Sequence, residues 1–399
     1  MFRNLQIRSK LGAILVLPLV ALIVFASLQV GSSVARRTEA NRTNRLTGLA
    51  VRLTALTDSL QQERATSSGY VASDKAKFRA DMMKSRTQAD RGAAALRDGL
   101  VDLDVSDYSP RLQTDIADAS RRLDGLGNWR TQLDGGTLPV VARVESFYGE
   151  LLQSLLTVIA DIGNEPGSRG VKSDIAALVE ISRGKEAASQ STSLLFAALI
   201  NHRFGPGEYQ RFATLVGEES SSVARFESIA SPAQQIQFEH RVAGASNSSL
   251  GEVMRQAALA GPGQPPPLDP QLWLDTMSSK VAQFHQVELR VASDVAATAT
   301  ADRNAAVRQT VLTTVIMILI VALAVGLSLL LAGSMAQPLY ALEKSARDVA
   351  ETHLPGVVER LQRPDAQVDE AGIEAMASSG GVPVRSRDEI GRASCRERV

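Results

Sequence analysis

Hydrophobic and polar positions alternate in two distinct ways along this chain. Two stretches are uniformly apolar. Leu11–Ala35 carries no charge and is densest in apolar residues over Leu11–Val30; Val311–Ala332 again carries none. Elsewhere apolar residues recur at steps of three and four, the period of an amphipathic helix, and no useful β-type alternation appears.

A helix rises about 1.5 Å per residue and a bilayer core is ~30 Å thick, so each uniform run suffices to cross once. Lipid offers exposed backbone groups no partner, which leaves the helix as the single-span structure. The pattern predicts transmembrane helices over 11–33 and 310–334. A cleaved signal peptide shares the basic start, Arg3, Arg8 and Lys10, but its apolar region is shorter and ends in a small-residue cleavage site. Here the run is long and Pro18 lies inside it. Basic residues before the first span place 1–10 in the cytoplasm, and the second span returns the chain there. The expected location is the cell membrane, with both termini cytoplasmic and 36–308 outside.

The outer segment opens with a predicted helix over Thr38–Ala72. Leu46, Leu49, Leu53, Leu56 and Leu60 form a heptad seam, which continues onto Glu63, Ser67 and Tyr70. Arg64 follows Leu60 by four residues, so the stripe turns polar while still facing inward. Further helices are predicted over Lys75–Leu100, Pro110–Leu133 (seam Leu112, Ile116, Ala119, Leu123, Leu126) and Pro139–Ile162 (Val144, Phe147, Leu151, Leu155, Ile159). Gly163-Asn164-Glu165-Pro166-Gly167 breaks the pattern. It then repeats over Gly170–Phe204, Glu208–Ile229, Pro232–Leu259 with a weak point at Gly244, and a last helix from about Gln271. That helix carries Trp273, Met277, Val281, Phe284, Val287 and Val291 and runs into the second span. The expected fold is all-α: two four-helix bundles, about 38–163 and 170–308, between two membrane helices.

Composition agrees. Aromatic residues make up only 4% of the 399, as in long helices rather than sandwiches. Lys+Arg and Asp+Glu number 43 each, so no basic excess points to nucleic acid. The single cysteine, Cys395, excludes an internal disulfide and a cysteine metal site. His202, His240, His285 and His353 lack metal-ligand spacing, and no metal site is expected. No Gly-rich nucleotide loop, Gly-x-Ser-x-Gly or His-Glu-x-x-His occurs, so no catalytic residue is assigned. The ending Ile390–Val399 resembles a translated sequencing adapter. The segment 390–399 is therefore expected to be non-native and the output domain to lie beyond the chain.

Two local patterns carry family resemblances. Pro338-Leu339 just past a span, a short amphipathic helix, Leu354-Pro355 and Asp388-Glu389-Ile390-Gly391 resemble a HAMP signal-relay domain, partial over 336–391. That family pairs chains, which implies a homodimer. Leu60–Tyr70, Lys185-Glu186-Ala187-Ala188-Ser189-Gln190, Glu208-Tyr209-Gln210-Arg211-Phe212 and Asp269-Pro270-Gln271-Leu272-Trp273 together resemble the nitrate- and nitrite-sensing domain of bacterial receptors, over about 36–308. The resemblance implies two four-helix bundles and a small oxyanion held by arginines. Arg64 matches the family's first arginine. Where many relatives carry a second, this chain has Ser191-Thr192-Ser193, and Arg183, Lys185 or Arg203 are candidates to replace its charge. Read from the residues alone, Arg64 could equally reach solvent or pair with Glu63 or Asp74.

The expected function is a two-span receptor that senses a small anion, nitrate or nitrite, through the membrane and HAMP to an output domain, in most relatives a histidine kinase. ATP and magnesium, and a response-regulator partner, would belong to that domain; within the chain the expected partners are the anion, membrane lipid and a second copy. A chemotaxis transducer and a ligand-free contact sensor are the alternatives.

Overall fold

A computed structural model describes residues 7–135, 141–244, 246–261, 264–348 and 351. These residues form ten α-helices, with no strand among them. They are α1 Ile7–Ala72, α2 Arg79–Val101, α3 Pro110–Asp124, α4 Leu126–Asp134 and α5 Val141–Ile162, then α6 Arg169–Asn201, α7 Glu208–Ile229, α8 Pro232–Phe238, α9 Ser246–Ala260 and α10 Pro270–Asp348. Two compact units result: one within Met1–Ser32 and Val311–Val399, the other Ser33–Thr310.

In the first unit the described apolar side chains point outward. Leu28 is 70% exposed and Leu330 72%. Two helices are long and apolar enough to cross a membrane, α1 near the N-terminus and α10 up to Leu330. α10 passes through Pro338, where the sequence pattern predicts a new helix to open. A proline removes one backbone donor, and the turns on either side keep the helix continuous. Leu354-Pro355, Asp388–Gly391 and the tail 390–399 lie outside the described residues.

In the second unit the seams turn inward as expected. Leu46, Leu49, Leu53, Leu56 and Leu60 of α1 are buried against Leu112, Ile116, Leu123, Leu151, Leu155 and Ile159 in one continuous core. On α5 the seam shifts by one residue. Tyr148 is buried, while Phe147 is half-buried and stacks on Trp129 with ring centroids 4.4 Å apart. Small residues set the closest approaches. A Cβ on Gly92 would meet the Leu56 backbone at 3.3 Å, so α2 lies directly against α1.

Predicted boundaries move where local chemistry competes. The second helix starts at Arg79 rather than Lys75, because Asp74, Lys75 and Phe78 take positive φ in the turn. The Lys75 ammonium donates to the Leu133 carbonyl at the end of α4, 3.2 Å away, which holds that turn in place. The helix expected over Pro110–Leu133 divides at Gly125. That over Pro232–Leu259 divides at a π-helical stretch, Glu239–Ala243, ending at Gly244.

α1 and α10 run antiparallel in one register. Thr310 donates to the Ser33 carbonyl, Arg303 to Asn41 and Thr300 to Asn44. The same register brings Asp58 to within 3.1 Å of His285.

Candidate functional site

The polar end of the α1 seam is buried as its spacing predicts. Glu63, Arg64 and Ser67 are all 0% exposed. Burying a charge costs several kcal/mol unless it is paired and hydrogen-bonded, so Glu63 and Arg64 must each have found a partner. The partners are arranged in layers.

Arg64 belongs to the middle layer. It does not snorkel, and it pairs with neither Glu63 nor Asp74. Its guanidinium forks onto Glu186 of α6, Nη1 to Oε1 and Nη2 to Oε2, the latter at 3.2 Å, and Nη2 also donates to Ser189 Oγ at 2.9 Å. Gln61 and Gln190 each donate to Glu186 at 2.6 Å. The carboxylate of Glu145 on α5 lies 3.5 Å from Arg64 Nε and accepts from Ser68 at 2.7 Å. Burial acts to discharge Arg64, and the two carboxylates outweigh it and keep it ionised. Burial pushes the Glu145 carboxyl above its usual range, more than the Arg64 charge pulls it down.

Despite these partners, some hydrogen-bonding capacity is left over on one stripe of α1. Thr57 Oγ1, Gln61 Oε1 and Arg64 Nε are buried with no hydrogen-bond partner among the described residues. They are spaced four and three residues apart and so share a face. Glu145, the carboxylate next to Arg64, also lines an open groove of 1110 Å³ between α3, α5, α6 and α7, whose wall includes Gln190, Ser193 and Arg211. Arg211 donates to Gln190 at 2.9 Å, linking the groove to the Glu186 network.

Of the other predicted candidates, Lys185 is also fully buried, but in a different layer. Its ammonium donates to Glu288 of α10 and to Asp58 at 2.9 Å, with His285 Nδ1 3.4 Å away. Asp58, His285 and Glu288 have ligand atoms within 4.8 Å of one another. The lysine ammonium already occupies the position of a cation among them. Arg183 is 40% exposed and pairs with Glu180 at 3.0 Å. Arg203 is exposed beyond the end of α6. Neither is brought to Arg64 by any described contact. The third layer centres on Glu63, which takes two 2.7 Å bonds from Arg130 and one from Tyr148.

Sequence reasoning missed Glu145, Glu288, Arg255 and Lys280 as interior charges. Glu145 and Glu288 each stand one residue from a seam position (Val144, Val287) and Lys280 three from one (Met277), which was the available signal; no seam was read around Arg255.

The class these features define is an all-α bundle domain with an ionic interior where α1, α5 and α6 meet. The chain belongs to the nitrate- and nitrite-sensing family, whose model matches residues 55–296. Among solved structures it is similar to one described as the NasR transcription antiterminator, with a TM-score of 0.63, 17% identity, and 94% of this chain and 98% of that chain covered. At that identity the likeness establishes the helical fold. No curated protein sequence matches the chain.

Proposed function

We propose that residues 36–308 form a nitrate or nitrite receptor with Arg64 as its anion-binding residue, in a two-span membrane protein that relays binding along α10. The observation that carries this reading is the Arg64 Nε–H: fully buried, on a polar stripe, with no hydrogen-bond partner among the described residues and only the Glu145 carboxylate at ion-pair range, 3.5 Å away. Nitrate is planar and rich in acceptors, and a guanidinium is planar, always charged and donates in a fork. The family membership supports the ligand class.

Charge balance dictates how an anion would enter. Arg64 already faces two carboxylates, so a further negative charge requires one of them to yield. Glu145 is the weaker partner: it stands 3.5 Å away, its side chain is 23% exposed, and it borders the groove. In this reading nitrate takes Nε while Glu145 takes up a proton. Because Glu145's folded pKa is raised, protonation is favoured in the bundle and affinity increases as pH falls. The expected slope is at most about tenfold per pH unit for one proton. Titration calorimetry of the full chain in detergent micelles, with nitrate, nitrite and chloride at several pH values, tests both points. A wild-type protein that binds neither oxyanion overturns the reading, and Glu145→Gln should bind with the slope removed.

The membrane relay rests on the two apolar helices and on α10 running as one helix from Pro270 to Asp348. In this reading both termini are cytoplasmic, a HAMP segment over 336–391 pairs two copies, and a histidine-kinase output domain addresses a response regulator. Protease added to spheroplasts should digest 36–308 and spare a C-terminal tag; protection of 36–308 would refute the topology.

A further inference from the structure

The second half of the domain contains a charged layer of a different kind. The apolar interior is not continuous there. One cluster holds Phe226, Phe238 and Phe284; a separate one holds Phe212, Val216, Met254, Trp273 and Met277. Glu219 of α7, Arg255 of α9 and Lys280 of α10 meet next to the second cluster. Arg255 Nη2 and Lys280 Nζ each approach a different oxygen of the Glu219 carboxylate, both at 2.7 Å. The side chains of Arg255, Lys280 and Glu219 are 2%, 9% and 5% exposed.

Two buried cations thus share one buried carboxylate. The other acid nearby, Glu252, is 3.7 Å from Arg255 and 49% exposed, in a dielectric where its charge counts for less. Moreover, Arg255 Nε is buried and has no hydrogen-bond partner among the described residues. This is the reverse of the Arg64 layer, where one cation faces two carboxylates. A low-dielectric interior penalises uncompensated charge of either sign, and a small anion compensates a cation excess without needing a proton.

We infer that Arg255 and Lys280 form a second anion site, for a small monovalent anion such as a halide or a planar oxyanion, with Glu219 holding the two cations in place. The site lies on α7, α9 and α10, shares no residue with the Arg64 layer, and does not depend on nitrate being the signal there. Any binding at it is pH-independent over the neutral range, because no carboxylate has to give way. An anion resident here ties α9 and α7 to α10, the helix that continues past Thr310.

Thermal unfolding of the full chain in detergent micelles, at fixed ionic strength, tests the site in an Arg64→Ala background that also carries Glu186→Gln, so that no buried carboxylate is left stranded. The probes are sodium nitrate and sodium chloride, with sodium gluconate, a bulky organic anion, as the control salt. The expected result is a saturable rise in Tm of about 4 °C at tenfold over Kd. Lys280→Met leaves a balanced Arg255–Glu219 pair and should fold yet lose the anion-dependent rise. Glu219→Gln enlarges the cation excess and should lower the apparent Kd at least about threefold. A rise with chloride and nitrate alike assigns a general anion site; a rise with nitrate alone assigns an oxyanion site. No rise in that background overturns the inference, as does a Lys280→Met variant that keeps the full rise. Loss of nitrate binding on Arg64→Ala alone concerns only the first site, so the two readings fail separately.

Discussion

Replacing Arg64 by alanine is expected to weaken nitrate or nitrite binding by about thirtyfold or more. Removing one member of a buried, hydrogen-bonded charge pair costs on the order of 2–5 kcal/mol, and about 1.4 kcal/mol is tenfold. The same change strands Glu186, which receives both Nη groups of Arg64. Part of the loss could therefore be structural. Two companions separate the effects. Arg64→Ala with Glu186→Gln removes the stranded charge and should recover the fold without recovering binding. Arg64→Lys keeps the charge without the planar fork, and should restore only part of the affinity. Calorimetry gives the affinities, and circular dichroism reports whether the helices persist. A folded Arg64→Ala/Glu186→Gln variant with wild-type affinity would remove Arg64 from the site.

The largest stability effect is expected at Lys185. Its ammonium balances Glu288, which is wholly buried, and Asp58. Lys185→Met leaves both without their lysine partner, with only the His285 ring 3.1 Å from each, and should cost roughly 3–5 kcal/mol. In a domain of this size that is a fall in Tm of about 10 °C or more. Adding Glu288→Leu should return much of it, since an apolar pair replaces an uncompensated carboxylate. The pH dependence has a definite sign. Burial pushes Glu288 up, but Lys185 together with hydrogen bonds from His285 and Ser182 outweighs it and holds the carboxyl below its ordinary range. Its contribution is therefore present above the unfolded carboxylate pKa and is lost as pH falls through the depressed folded value. Lys185 is held above its ordinary range by Glu288 and Asp58 in spite of burial. Its contribution is complete below the unfolded lysine pKa and fades only at strongly alkaline pH. Thermal melts from acid to neutral pH should show the acid limb in wild type and a flattened one in Lys185→Met/Glu288→Leu. An unchanged Tm for Lys185→Met would show that Lys185 is not what compensates Glu288.

Much of this architecture was legible from periodicity, because steps of three and four determine which residues face a core whatever surrounds them. Leu46 through Leu60 and Leu112 through Leu126 are buried where their spacing places them, and Arg64 is inward for the same reason. What spacing does not encode is the partner. Glu186 stands in a motif beside Lys185, yet the two answer different partners, Arg64 of α1 for one and Glu288 of α10 with Asp58 of α1 for the other. Nothing local pairs residues more than a hundred positions apart. Helix ends were less legible for a related reason. The left-handed residues Asp74, Lys75 and Phe78 are non-glycine, and the turn they make is held by a carbonyl at Leu133. The division near Gly244 likewise follows a π-helical stretch with no proline in it.

Lys185 and Glu186 are neighbours on α6, and successive residues on a helix point about 100° apart. Glu186 is anchored to Arg64 of α1, and Lys185 to Glu288 of α10 as well as to Asp58 of α1. α6 is therefore geared to both. If the Arg64 layer rearranges and Glu186 is released or drawn in, α6 turns about its own axis, and Lys185 must swing against Glu288 about a quarter-turn away. A small torque at one layer becomes a sideways displacement of α10 at the next, with no residue of α10 ever touching the ligand.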